Sequence, residues 1–221
     1  MNSDAAPQPT RQAFGFLIYR LRPPLGKRLR QLLPGLALFG AALALTVEAA
    51  LGSNPWTVFH EGVADRIGLT IGTIVTLTGL LLTLLFRPLR EPLGLGTITN
   101  AFGVGLSVDV TLWLVPDLTT LWSRVVAMLI APPLLGLASG LYIGAGLGPG
   151  PRDGLMTALE RRGVKVSVAR TGIELTALAV GWALGGTVGI GTVWFAATVG
   201  YFVRLFLAPL RLPEDLADDP S

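Results

Sequence analysis

The 221-residue chain contains no cysteine. A disulfide framework, a thiol nucleophile and a thiolate metal site are therefore excluded. Its single histidine, His60, is a poor basis for a histidine zinc site or a Ser–His triad. Charge is scarce as well: 14% of residues are Asp, Glu, Lys or Arg, against about 25% in a soluble domain. No HExxH, GxSxG or Walker-type loop occurs. The chain is accordingly read as neither an enzyme nor an ATP-driven pump, and no metal or cofactor is expected. A pI near 9.8 raises nucleic acid as a partner, but the placement of the charges argues against it.

What the chain has instead is long apolar runs. Six of them, over 32–51, 70–86, 95–115, 124–147, 166–184 and 188–208, approach or exceed the roughly 20 residues that cross a bilayer as helix. Thirteen of the seventeen basic residues fall on one side of that arrangement, in 1–31, around Arg87 and Arg90, between the fourth and fifth spans, and at Arg211. The positive-inside rule then puts both termini in the cytoplasm of a bacterial cell, with the chain in its cytoplasmic membrane. About 31 residues precede the first apolar run, unlike the short basic start of a cleaved signal, so that span is expected to be retained. Residues 14–22 (FGFLIYRLR) suit a segment at headgroup level. The acidic tail from Pro213 to Ser221 is expected to be disordered.

Two stretches repeat at an offset of about 95 residues. Leu51-Gly52-Ser53-Asn54-Pro55 answers Leu147-Gly148-Pro149-Gly150-Pro151, and 94–105 matches 189–200 at six of twelve positions. Composition alone gives such matches, but two motifs recurring in order favour duplication. Each half supplies three spans, an odd number, so the second copy enters the membrane inverted, a plan recurrent among secondary transporters. The segments are 1–31 (basic), 32–115 (first repeat), 116–208 (second repeat) and 209–221 (acidic). Each repeat holds a short helix, at 54–67 and 150–162, opened by a Gly/Pro breaker. Two placements fit: a re-entrant half-helix lining a cavity, or an amphipathic helix flat on the interface. The expectation is an all-α membrane protein of six transmembrane helices in two inverted-topology three-helix repeats, each with such a short helix.

The run Gly148-Pro149-Gly150-Pro151-Arg152-Asp153-Gly154-Leu155-Met156 resembles the YczE/YyaS/YitT-type family of bacterial integral membrane proteins, most nearly its YczE branch. Leu51-Gly52 with Pro55-Trp56, Gly94-Leu95-Gly96-Thr97 with Asn100, Tyr142-Ile143-Gly144, and Arg170-Thr171 with Glu174 extend the likeness over roughly 35–207. The resemblance implies a membrane protein and says little about cargo.

Ionisable groups within spans mark pathways or internal pairs. Arg170 and Glu174 share one face of the fifth span. They read either as a buried pair that fixes packing or as a proton or cation carrier tuned by its arginine. Arg152 and Asp153 open the second short helix, where an anionic ligand group or a lipid phosphate can dock. The alternative is that Asp153 caps the helix and Arg152 reaches a headgroup. Gly148 and Gly150 let backbone approach a ligand, or equally another helix. Asp109, opposite Arg204 in the repeat, is a candidate coupling carboxylate. His60, Glu61 and Asp65 read as a solvated loop face in preference to a pH sensor. Gly136, Gly140 and Gly144 have GxxxG spacing, for helix packing first and a homodimer second. Pro132-Pro133 should kink or split the fourth span. The leading function is a small-solute or ion permease with its site between the repeats. The runner-up is a non-transporting membrane accessory protein that recruits a biosynthetic or export partner. The partners expected are the lipid bilayer, a small-molecule or ion substrate and, second, another copy of the chain; nucleic acid is not one.

Overall fold

The structure, a computed structural model, describes residues 11–13, 16–19, 21 and 23–212. The expected disordered tail over 213–221, and residues 1–10 of the basic segment, lie outside the described residues. Nine helices and three very short strands are present among those described. Five helices are long and apolar enough to cross a membrane: α1 (Leu25–Ala49), α3 with α4 (Ile71–Leu84 and Phe86–Leu89), α5 (Leu95–Leu114), α6 (Leu121–Gly144) and α9 (Ile190–Leu210). The expected fifth span corresponds to α8 (Val166–Ala183). It is not among those five, because Arg170 and Glu174 lower the apolarity of an 18-residue helix. The short helices are α2 (Pro55–Ile67) and α7 (Pro151–Glu160), both with proline in the first turn.

Within 14–22, the stretch expected at headgroup level, the described residues include a short strand. Phe16–Ile18 (β2) pairs antiparallel with Arg11–Ala13 (β1) and parallel with Pro92–Leu93 (β3), so this segment is tied to the loop before α5. α1 starts at Leu25 rather than 32.

α1 and α6 cross at the centre, with Leu36, Phe39 and Leu43 meeting Leu135, Ala138 and Tyr142 in one buried cluster. α6 remains a single helix through Pro132 and Pro133. Its GxxxG stripe is used within the chain: Gly136, Gly140 and Gly144 bring α6 against Phe202, Phe206 and Leu210 of α9, too close for a Cβ. α5 lies on α1, and Ser107 Oγ donates to Ala37 O at 2.6 Å.

The repeated motifs occupy matching places. Gly96 N donates to Leu147 O at 2.7 Å, and Gly191 N donates to Leu51 O at 2.8 Å. Thr97 Oγ1 accepts from Gly94 N at 3.1 Å, and Thr192 Oγ1 accepts from Gly189 N at 3.2 Å. Gly52 and Gly148 both have positive φ, +105° and +114°, and each abuts the glycine that precedes the opposite last helix. A side chain at either would be strained and would collide.

One contrast breaks the match. α3 lies along α5, where Gly72 and Gly105 leave no room for a methyl group, whereas α8 makes almost no contact with α9. α8 instead packs along α2, through Gly62, Gly181 and Gly186.

Candidate functional site

α2 and α7 start close together in the middle of the molecule. Arg152 Cζ lies 5.5 Å from the Trp56 ring centroid and 5.5 Å from that of Phe39 on α1. Local sequence accounts for the placement. Asn54 caps α2 by accepting from Thr57 N at 3.1 Å, proline occupies the first turn of each short helix, and Trp56 and Arg152 follow those prolines. Each helix then runs outward from the centre. Trp56 packs near Ala177, part-way along α8, while Arg66 Nε donates to Leu184 O beyond that helix's last turn. Pro151 lies near Gly79 in α3, while the Arg161 guanidinium pairs with Glu91 beyond its end.

A cavity of about 180 Å³ surrounds Arg152, between the first half of α8 and the stretch of α9 from Phe195 to Val203. Phe39, Trp56, Asn100, Ser139 and Tyr142 contribute to its wall, together with Asp153, Arg170 and Glu174. A dry cavity near 150 Å³ takes a benzene, so this one suits a solute of roughly six to ten heavy atoms. Several of its polar groups are already committed. The Tyr142 hydroxyl donates to Asp153 Oδ2, and Arg170 Nε donates to Glu174 Oε1 at 3.0 Å. The Arg152 guanidinium has no hydrogen-bond acceptor among the described residues and is held by the faces of two rings. Five donors in a planar fork are thus unspent at Arg152, whereas Arg170, the other cation of this wall, is paired with Glu174. Trp56 Nε1 and both His60 ring nitrogens are buried without a partner.

Of the residues singled out from sequence, Gly150, Arg152, Asp153, Arg170 and Glu174 line this cavity. Gly148 does not; it packs against Gly94. Asp109 also stands apart. It accepts from Thr70 Oγ1 at 2.6 Å and from Gly72 N at 2.8 Å, tying the α3 N-terminus to α5. His60 and Glu61 are buried, not on a solvated loop face, because His60 faces α3 and α5 while Glu61 meets the loop after α8; Asp65 is exposed. The Glu61 carboxylate accepts from Ser53 Oγ at 2.6 Å and Thr187 N at 2.8 Å. Sequence reasoning assigned no site role to Phe39, Trp56, Asn100 or Tyr142. Their signal was available in part, since Trp56 follows Pro55 as Arg152 follows Pro151. No group of three His, Asp or Glu among the described residues is placed to hold a metal ion.

A second, much smaller chamber of about 20 Å³ lies on the other side of Arg152, between α3 and α5, with His60 in its wall. Pro151, Arg152 and Asn100 line both spaces. The two linings correspond. Val75, Gly79, Asn100, Ala101 and Val104 of the small chamber match Arg170, Glu174, Phe195, Ala196 and Val199 of the large one at a constant spacing of 95. His60, Pro151 and Arg152 match Met156, Pro55 and Trp56 at 96.

Apolar spans around a central polar cavity define a polytopic helical membrane protein. The model of a family of unknown function, DUF6198, matches residues 26–208, and the chain belongs to that family. It is 38% identical to an uncharacterized protein of Haemophilus influenzae over 190 residues, 85% of this chain and 87% of the relative. It is 35% identical to the uncharacterized membrane protein YczE of Bacillus subtilis over 78% of this chain and 82% of the relative. Its identity to YyaS of the same organism is 28%, over 78% of this chain and 89% of the relative. No solved structure matches.

Proposed function

We propose that the chain is a permease for a small solute bearing an anionic group, bound at Arg152 between two inverted three-span repeats. The observation that carries this reading is the unpaired Arg152 guanidinium, sandwiched by Phe39 and Trp56 in a cavity of about 180 Å³. The α7 N-terminus adds partial positive charge at the same point. Donors dominate what the wall leaves unspent, so an acceptor-rich head such as a carboxylate fits, with the rings covering a flat or apolar body. In this reading α8 is the sixth span; its 18 residues reach about 27 Å, and its two charges face the cavity instead of lipid. The α2 and α7 helices are re-entrant, their N-termini meeting at mid-depth. The matched hydrogen bonds of Gly96 and Gly191 support the repeat. The basic-residue bias supports cytoplasmic termini in a bacterial plasma membrane.

The test uses the detergent-purified full chain with benzoate, benzamide and benzylammonium as probes, followed by thermal unfolding and calorimetry, and flux in proteoliposomes. Benzoate should bind and cross, benzamide and benzylammonium should bind at least about tenfold more weakly, and Arg152→Gln should abolish the preference while still folding. Equal binding of all three would refute the anion assignment. No flux of any solute in a broad panel would refute the permease and favour the accessory-protein reading.

A further inference from the structure

The two spaces flanking Arg152 are lined by equivalent positions, 95 or 96 residues apart, yet one is open and the other nearly closed. We infer that they are two alternating mouths of one site: the small chamber around His60 opens when α3 leaves α5, as α8 closes on α9. This inference rests on the permease reading. Arg152 and Asn100 line both spaces and would keep hold of the solute's anionic head throughout, while the unpartnered His60 imidazole receives it on the second side.

The closed side shows what the open side would become. A Cβ on Gly105 would collide with Thr76 Oγ1 and Gly72 O, whereas a Cβ on its counterpart Gly200 meets nothing within 4 Å. The closed side is latched, since Asp109 of α5 accepts from Thr70 Oγ1 and Gly72 N at the α3 N-terminus. A carboxylate there also complements the helix dipole. At the same spacing of 95, Thr70 and Asp109 are answered by Lys165 and Arg204. Lys165 caps the α8 N-terminus, where a cation opposes the dipole, and Arg204, within α9, donates to Gly200 O at 3.2 Å, so the α8–α9 side has no carboxylate to act as a latch. The resting preference for the state seen here is therefore written into these four residues.

Because the chain has no native cysteine, introduced pairs report cleanly. A Cβ on Gly79 stands 3.2 Å from Ala101 Cβ, close to the 3.5–4.5 Å of disulfides. The full chain in proteoliposomes would carry either Gly79→Cys/Ala101→Cys or Thr171→Cys/Gly200→Cys, cross-linked by oxidation or by a short bis-maleimide. The first pair should link rapidly, stop benzoate flux and leave benzoate binding intact, with flux restored by reductant. The second should link slowly, and about tenfold faster when Asp109→Ala removes the latch. If the second pair never links although each single cysteine reacts with maleimide, the exchange is refuted. The exchange is also refuted, with the permease standing, if the oxidised first pair transports at the wild-type rate. Linking of both pairs with acceleration by Asp109→Ala, but no flux of any solute, would leave the exchange standing and refute the permease.

Discussion

Glu61 is a buried carboxylate with no cation beside it, and removing it should release α2 from the loop before α9. Its oxygens accept from Ser53 Oγ at 2.6 Å and from Thr187 N at 2.8 Å. A hydrogen bond to a charged group contributes about 1.5–3 kcal/mol, and a buried donor left bare costs a similar amount. Glu61→Ala loses both bonds and strands the Thr187 N–H, so about 3–5 kcal/mol should disappear. Glu61→Gln is the more telling change. Its remaining oxygen can keep the Thr187 N–H, and the Ser53 hydroxyl can rotate to accept from the new amide. The expected cost is then only about 1–2 kcal/mol. Ser53→Ala removes a charge-assisted bond from the wild type but only a neutral one from Glu61→Gln, so the combined change should cost less than the sum of the singles. Reversible unfolding in mixed micelles, followed by tryptophan fluorescence, gives the four corners of the double-mutant cycle. Glu61→Gln as damaging as Glu61→Ala, or Glu61→Ala costing under about 1 kcal/mol, would refute the hydrogen-bond account.

The remaining predictions test packing and charge. Gly186→Ala drives a Cβ into Val58 O and should cost about 1–3 kcal/mol in the same unfolding assay. Gly200→Ala meets open space inside α9 and should stabilise by up to about 1 kcal/mol, yet slow flux, since its counterpart Gly105 has no room for a methyl group. The Glu91 side chain is 2% exposed and that of its partner Arg161 44%. Arg161→Ala strands a buried anion and should cost about 2–4 kcal/mol, more than Glu91→Ala, which frees a cation that water can reach. Arg170 and Glu174 are 50% and 32% exposed, so Glu174→Gln should change stability by less than about 1 kcal/mol. A larger loss would revive the purely structural reading of that pair.

How far the sequence anticipates this molecule depends on the range of the forces involved. The spans are legible because lipid demands long apolar runs, and α1, α5 and α6 fall close to where those runs lie. The matched motifs were legible because the same contact, a glycine backbone against a glycine backbone, requires the same residues at 52 and 189 as at 148 and 94. Arg152, Asp153, Arg170 and Glu174 stood out because charge in an apolar context is expensive. The pairing of 16–18 with 92–93 left no trace, since strands this short have no periodicity to read. His60 and Glu61 misled for a different reason. Polar residues in a linker look solvated until their partners, Thr187 among them, arrive from more than a hundred residues away. The bonds that Asp109 accepts from Thr70 and Gly72 were out of reach for the same cause, being long-range.

The charges on α8 have no counterparts on α3, where Val75 and Gly79 stand at the equivalent positions. That difference follows from what each helix must face. α3 closes on α5 in a dry contact, with Gly79 set against Ala101. For α8 to close on α9 in the proposed exchange, it must carry Arg170 and Glu174 toward Ala196 and Val199, away from water. Burying a lone cation there would be prohibitive, whereas the pair, already joined at 3.0 Å, moves as a neutral unit. Glu174→Gln therefore leaves the open state nearly untouched but makes closure bury an unpaired arginine. Its effect should appear in flux and in Thr171→Cys/Gly200→Cys cross-linking, and scarcely in folding. A site that only needed to bind would have no use for that carboxylate, because the unspent donors of Arg152 already supply the attraction.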